Sequence, residues 1–324
     1  MKKVLSAIGT FCRKFTIIPI LIVIFVVFSA CTDKFFSFTN MLNILQQSSI
    51  YGTMALGMTF LIICGYFDLS AGVVMGFTAN LVVLLQIKGC SIPVAIIITL
   101  AVAFVIGLVN GILVTKVHIN AFIVTLAMMI AGRGLTYVIC KGDQIGSPNI
   151  EFMDYANGKF HGVSYLTITF AILLIIAAVV MKYTKHGRDT FAIGGNTEAA
   201  FNSGIKVDKV KTINFIICSF AAGIGGIMTA SRMNAATPYL GYPDGAIMII
   251  TCVVLGGTGL QGGYGGPLYT LGGTVAYFMF RNGLNMMNVT TAYYYMLTGV
   301  ILIAIVTLDK IQDNRRNRKV LRKQ

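Results

Sequence analysis

The chain has 324 residues, 56% of them hydrophobic and only 11% charged, with a mean hydropathy of +0.81. A soluble domain carries about 25% charged residues, so this surface does not mostly face water, and a soluble enzyme is excluded. The net charge of +14 does not mark a nucleic-acid binder either, because the basic residues sit beside apolar runs and not in a patch interleaved with aromatics.

The apolar runs Phe15–Ala30, Pro93–Val114 and Ala292–Leu308 hold no charge at all and read as membrane spans. In chain order, a first span over 15–30 leaves residues 31–40 outside. Two segments interrupted by polar and Gly residues follow, 50–64 and 71–87, then an outer turn over 88–92. A span over 93–114 descends to Lys116 and His118, 121–140 rises, and 141–162 is the longest outer loop. Span 166–181 leads into a basic stretch ending at Thr212, and 213–229 rises to an outer loop over 231–244. Two short segments, 245–255 and 267–280, are joined by a Gly-rich link. Residues 281–290 are outside, and 292–308 leads to a basic tail.

These are ten segments with both ends inside. The inner loops and tails hold 18 of the 25 Lys and Arg, the outer loops hold six, and Arg133 alone falls within a span. That is the positive-inside pattern of cytoplasmic loops. The expected fold is an all-α integral membrane bundle of about ten transmembrane segments, with short, Gly-interrupted helices in each half. Its parts are a cytoplasmic segment over 1–14, a transmembrane domain over 15–309 with a large cytoplasmic loop over 182–212, and a basic cytoplasmic tail over 310–324. The Met-Lys-Lys start followed by Phe28-Ser29-Ala30-Cys31 only faintly matches a cleaved leader, since more membrane follows.

The two interrupted regions form a weak repeat in which Gly65, Leu69 and Gly72 align with Gly256, Leu260 and Gly263. Interrupted helices at corresponding positions of two halves point to a translocation site. Asp68 is the one acid expected at membrane depth, where an ionised Asp costs about 2.5–3.5 kcal/mol on insertion scales. It reads either as a helix cap beside a pathway, with Ser70, or as a purely structural cap. Asn43, Gln46 and Gln47 recur at helical spacing, and such neutral amides suit transient hydrogen bonding to an uncharged polyhydroxylated solute. Contact with lipid headgroups is the plainer alternative.

Within the basic stretch, Asn196 is an N-cap, Glu198 occupies the first turn where the helix dipole favours an anion, and Gly204 is a left-handed stop. The result is a two-turn helix flanked by Arg188, Lys206 and Lys209, a docking knob for another protein or simply an interhelical loop. The spacings Gly72-x-x-x-Gly76 and Gly107-x-x-x-Gly111 read as close helix packing. Gly257–Gly262 satisfies GxGxxG without a strand or βαβ unit around it. Seven cysteines show no metal-ligand spacing. No HExxH, GxSxG or GxxxxGK[ST] pattern occurs, so no catalytic role, cofactor or metal is expected.

Taken together, the pieces resemble the ribose-type permeases of bacterial ATP-binding-cassette importers, which also serve other sugars, autoinducer-2 and nucleosides. The resemblance lies in Ala55–Phe60 continuing to Phe67-Asp68-Leu69-Ser70, Ala121–Leu126, Gly187-Arg188, Ala192–Asn196, Glu198-Ala199-Ala200, Ser203–Ile205, and Leu255–Thr258 with Gly262-Gly263. It implies a transport subunit of the bacterial inner membrane that hydrolyses no ATP itself. The implied partners are a cytoplasmic ATPase, a second permease subunit (identical or related) and a periplasmic or lipid-anchored solute-binding protein. It also implies that Gly194, Gly195, Asn196, Glu198, Ala199, Ala200 and Gly204 form the loop that docks into the ATPase. Tyr66 stands where the family has a second Gly, and Tyr239 and Tyr264 are unusually bulky. An ion-coupled secondary carrier is the rival expectation, but only Asp68 and Arg133 are candidates for its midplane ligands.

Overall fold

The computed structural model describes residues 17–32, 34–290, 292–293, 296–300, 303 and 307. The expected segments over 1–14 and 310–324, and parts of the first and last spans, lie outside these residues. The helices are α1 (Ile17–Cys31), α2 (Phe38–Ile63), α3 (Ala71–Ile87), α4 (Ile92–Thr115), α5 (Ala121–Cys140), α6 (Glu151–Asn157), α7 (Tyr165–Tyr183), α8 (Lys185–Gly195), α9 (Thr197–Asn202), α10 (Val207–Met233), α11 (Gly245–Leu255) and α12 (Pro267–Met286). Residues 292–293 and 296–300 are also helical. Among the described residues four helices are long and apolar enough to cross a membrane: α4, α5, α7 and α10.

The bundle is built around α10. Of its most apolar stretch 72% is buried, against 17% for α5, so α10 is the axis and α5 lies at the periphery. Three glycines of α10 each admit a different neighbour. A Cβ at Gly223 would meet Ala103 of α4, one at Gly225 would meet Met54 of α2, and one at Gly226 would meet Met75 and Thr78 of α3. The small spacing in α4 works the same way: a Cβ at Gly107 would fall 2.7 Å from Ile216 Cα, and one at Gly111 2.9 Å from Thr212 Cα. Backbones pack this closely in membranes because hydrocarbon gives no hydrophobic drive between helices, leaving van der Waals contact to hold them.

Several boundaries differ from the sequence expectation. Helix α2 begins at Phe38, not near residue 50, with the Ser37 side chain accepting from Asn40 N. Within the polar run from Asn40 to Thr53, Asn40, Gln46, Ser49 and Thr53 find partners inside the bundle, whereas the buried Ser48 hydroxyl has none among the described residues. Asn40 exchanges amide hydrogen bonds of 2.9 Å with Asn282 of α12, while Ser49 and Thr53 bond back to the carbonyls of Leu45 and Ser49. The first interrupted pair therefore joins a 26-residue and a 17-residue helix, and of the four interrupted segments α11, with 11 residues, is the one that stays short. At about 1.5 Å per residue α11 reaches roughly halfway across about 30 Å of hydrocarbon. Arg281, expected in an outer loop, lies within α12.

The largest correction concerns residues 237–244, expected outside. They run back into the bundle along α3. Asn80 Nδ2 donates to Thr237 O at 2.9 Å, Gly76 makes room for Leu240 O, and Gly72 for Gly241 O. Irregular backbone is tolerated at membrane depth where protein satisfies it, and the Gly72–Gly76 spacing serves this contact, with Gly72 also lying against the start of α11 at Ala246. At the end carrying α6, β1 (Ile145–Gly146) pairs antiparallel with β4 (Ala235–Ala236), and β2 (Lys159–Phe160) with β3 (Val163–Ser164). The opposite end carries α8 and α9 and is called the basic end below.

Gly107→Val should destabilise the protein by about 1–3 kcal/mol, since the obstructing atoms are backbone and cannot yield. The expected readout is a lower thermal midpoint in detergent, with Gly134→Ala, which meets nothing within 4 Å, as the unchanged control.

Candidate functional site

At the basic end two short helices form a knob. Thr184 caps α8, its hydroxyl accepting from Gly187 N at 3.2 Å. Asn196 ends α8 and caps α9, accepting from Ala199 N at 2.9 Å. Glu198 lies in the first turn of α9, where the dipole favours an anion. Gly204, at φ +82°, closes the helix, with Gly204 N on Phe201 O and Ile205 N on Ala200 O, the paired bonds of a left-handed stop. Glu198, Ala199 and Phe201 face outward, Phe201 being 68% exposed. Ala200 faces inward and packs with Ile193, Cys64, Val207 and Val210. The underside of the knob is therefore the end of α2 and the start of α10.

A second tie is made of backbone. Gly263 N donates to Ile63 O at 2.8 Å, and a Cβ at Gly194 would overlap that same carbonyl. Gly262 lies against Ile63 O and Gly65 N. The Gly-rich link between α11 and α12, the end of α2 and the end of α8 thus meet at one point. Gly195, by contrast, is exposed and has open space where a side chain would stand, although its backbone lies beside Gly263. The weak repeat has a structural counterpart shifted by one residue. Gly65 ends α2 at φ +84°, and Gly257, not Gly256, ends α11 at φ +104° with the same bonding pattern.

A third tie was not anticipated. His186 Nε2 is 2.8 Å from Asn214 Oδ1, and Asn214 Nδ2 donates to Thr190 Oγ1 at 3.3 Å. Asn214 and Thr190 are fully buried, so α8 is clasped to α10. The signal available in the sequence was an Asn in an apolar helix and a His and Thr spaced i, i+4.

Asp68 and Ser70 lie inside the bundle between α2 and α3. Asp68 Oδ1 accepts from Ser70 N at 2.8 Å and Ser70 Oγ at 2.6 Å. Asn110 Nδ2 donates to Ser70 Oγ at 3.0 Å, with Asp68 Oδ2 at 3.4 Å. Beside this turn a cavity of about 550 Å³ opens at the basic end, lined among others by Tyr66, Phe67, His118, Asn120, Asp208 and Lys211. Lys211 Nζ donates to Tyr66 OH at 2.8 Å and lies 4.6 Å from that ring's centroid. Asn43, Gln46 and Gln47 are far from here, about 25 Å along α2 from Ile63. Gln46 Nε2 donates to Ala156 O at 3.0 Å and to Ser164 Oγ at 3.3 Å; Asn43 is exposed and Gln47 half-buried. The structure does not bring the two groups of candidate pathway residues together.

Residues 40–306 match the family model described as "Branched-chain amino acid transport system / permease component". The chain is 36% identical over 292 residues to the ribose import permease protein RbsC of Bacillus subtilis (strain 168), covering 90% of each chain. It is 34% identical over 295 residues to RbsC of Escherichia coli (strain K12), covering 89% of this chain and 91% of that one. To the L-arabinose ABC transporter permease protein AraH of Azospirillum brasilense it is 30% identical over 302 residues, covering 93% and 88%. No solved structure matches the chain.

Asn214→Ala should leave His186 and Thr190 without their buried partner, at a cost of about 1–3 kcal/mol. Amide hydrogen exchange over residues 187–195 should then quicken by roughly 5- to 150-fold if that cost falls on the docking of α8; unchanged exchange there would show that the clasp does not hold α8.

Proposed function

The chain belongs to the branched-chain amino acid transport system / permease component family, and on that premise we propose that it is the membrane-spanning subunit of an ATP-binding-cassette importer carrying a sugar into the cytoplasm. The family description names amino acids, whereas the relatives similar over about nine-tenths of the chain are ribose and L-arabinose permeases; the solute class follows the relatives. The basic end faces the cytoplasm, as do both termini, in keeping with the Lys and Arg bias of inner loops.

The observation that carries the mechanism is the two-sided knob. Its outer face offers Glu198, Ala199 and Phe201, while its inner face, Ile193 and Ala200, is part of one small core with α2 and α10. A cytoplasmic ATPase docks on the outer face, at Gly195, Asn196, Glu198 and Ala199 with Gly204 closing the turn, whereas Gly194 and Ala200 of the expected set are turned inward and hold the knob to the bundle. Closure of the ATPase pair on ATP displaces the knob, and two permease subunits, identical or related, alternate between outward and inward access. A periplasmic or lipid-anchored binding protein delivers the solute to the far end. Coupling requires that the knob's contacts differ between the two states, since a partner that binds both equally shifts nothing. The hydrolytic chemistry belongs to the partner.

Within this reading the Asn43, Gln46 and Gln47 amides stand at the outer mouth. Asp68 and Ser70 fix the turn behind the inner cavity, where Tyr66 and Lys211 face the exit. An ion-coupled carrier is the weaker reading, because the relatives are importer subunits and Asp68 is already engaged by Ser70 and Asn110.

Glu198→Lys combined with Gly204→Val should reduce ATP-driven sugar uptake to background while the subunit still inserts, since one change reverses the charge at the docking turn and the other forbids φ +82°. Full uptake by the double variant would reject the docking role. Phe201→Cys should also be inaccessible to an impermeant thiol reagent applied outside intact cells; labelling there would invert the proposed orientation.

A further inference from the structure

Arg133 lies on α5, twelve residues from its start, in a helix that the bundle leaves largely uncovered. Its neighbour Gly132 packs on Val73 of α3, two residues before Met75, which meets Gly226 of α10. That places the guanidinium near mid-depth of the bundle. Among the described residues Arg133 has no ion pair and no hydrogen-bond acceptor. Its one engagement is aromatic: the guanidinium carbon stands 3.9 Å from the Tyr242 ring centroid and 5.8 Å from that of Tyr137. Tyr137 in turn meets Tyr239, ring edge to ring face, with their hydroxyls 3.0 Å apart.

A charged group on a lipid-facing helix surface at this depth is strongly disfavoured, and intramembrane ionisable residues face the bundle interior or a water-filled cavity. This face of α5 is therefore not lipid-facing. The contact with the Tyr242 ring holds the guanidinium without using its N–H groups, and a guanidinium presents those donors in a fork suited to neighbouring oxygens. The tyrosines are not mobile ornaments. Tyr239 and Tyr242 belong to the segment that Gly72, Gly76 and Asn80 hold against α3, yet Tyr239 remains 60% exposed and Tyr137 38% exposed. One guanidinium, already stacked and with no second cation in contact, together with two phenols and open ring faces, suits neutral vicinal hydroxyls better than a phosphate.

The same side of α5 leads inward. Phe122, Leu126, Met129, Arg133 and Tyr137 recur at spacings of three or four and share one face, and Phe122 lines the cavity at the basic end. We propose that Arg133, Tyr137, Tyr239 and Tyr242 form a recognition station for a neutral polyhydroxylated solute, midway on a path that runs down this face of α5 to the cytoplasmic cavity. The proposal deepens the importer reading and rests on it. Arg133 supplies paired donors to adjacent hydroxyls, the tyrosine hydroxyls exchange further bonds, and the rings receive the C–H face of the sugar. Bonds of this kind fix orientation yet release readily when the station is rearranged.

The test uses the complete transporter, permease with its ATPase and binding protein, taking up radiolabelled ribose or L-arabinose. Arg133→Lys keeps the charge but not the planar fork and should lower uptake at least tenfold; Tyr239→Phe keeps the ring and should lower it about threefold. Wild-type uptake by both overturns the station, and if Arg133→Lys fails to insert, Tyr239→Phe alone decides. In a chain with Cys31→Ser and Cys90→Ser, Arg133→Cys and Tyr239→Cys should react with an impermeant thiol reagent from outside, and saturating sugar should slow both at least fivefold. An unreactive Arg133→Cys, or reaction indifferent to sugar, overturns the proposal. If the wild-type complex takes up neither sugar, the solute class proposed above fails. Reactivity of Arg133→Cys then still tells whether this face of α5 borders water, and an unreactive one removes the path.

Discussion

The carbonyl of Ile63 is the point on which the rest of the architecture turns. Gly263 donates to it, Gly194 lies so close that no side chain fits, and Gly262 packs beside it. Three segments far apart in sequence are thereby held backbone to backbone. A contact of that kind has no side chain whose rotation could absorb a displacement, and packed interiors transmit strain because they contain few voids. The knob, the end of α2 and the link between α11 and α12 therefore move as one body or not at all. This gives the Gly-rich link a mechanical role that its accidental GxGxxG spacing does not suggest.

What the sequence disclosed most clearly was whatever is encoded locally. The cap at Asn196, the acid at Glu198 and the stop at Gly204 all appear as read, because each acts within one turn of the residue that carries it. The preceding helix α8 was missed, since Gly194-Gly195 reads as a loop when taken alone. Its reason is the remote Ile63 carbonyl, which no local rule reveals. The start of α2 was misplaced for a related cause. Asn40 and Gln46 lower hydropathy, yet their amides are consumed by Asn282, Ala156 and Ser164, partners more than a hundred residues away. Residues 237–244 read as an outer loop because Pro, Gly and Asp abound there, and only the fit of Gly72 and Gly76 shows that this backbone is carried inside. Among the candidate site residues, the sequence grouped Asp68 and Ser70 correctly, but their third partner, Asn110, was invisible without the fold.

The interior is polar in a particular way. Hydroxyls and amides bond to helix carbonyls or to one another, as Thr59 does with Thr270 at 2.6 Å, and the one ion pair among the described residues, Lys116–Asp208, lies at the surface. Neutral pairs of this sort hold helices together at modest strength, about 0.6 kcal/mol on average in one well-studied membrane bundle. Such bonds are weak enough to be exchanged when helices shift. A bundle meant to alternate between two arrangements is better served by many small contacts than by a few buried charges, whose separation would leave an uncompensated group.

Movement at the knob has one continuous route inward. Helix α10 begins at Val207 in the floor of the knob, is clasped to α8 at Asn214, and reaches Gly223, Gly225 and Gly226 without a break. There it touches α4, α2 and α3 within one turn. Helix α3 in turn carries the re-entrant segment at Gly72 and Gly76 and meets α5 at Gly132, the residue next to Arg133. A tilt of α10 at the basic end must therefore be answered at mid-depth, because glycine contacts allow sliding but not compression. The contacts of Arg133 with Tyr242 and of Tyr137 with Tyr239 join α5 to that re-entrant segment and form a seam between them. On the proposed reading, a recognition group seated across that seam would hold solute in one arrangement and release it in the other, which would link the proposed docking knob to the proposed recognition station.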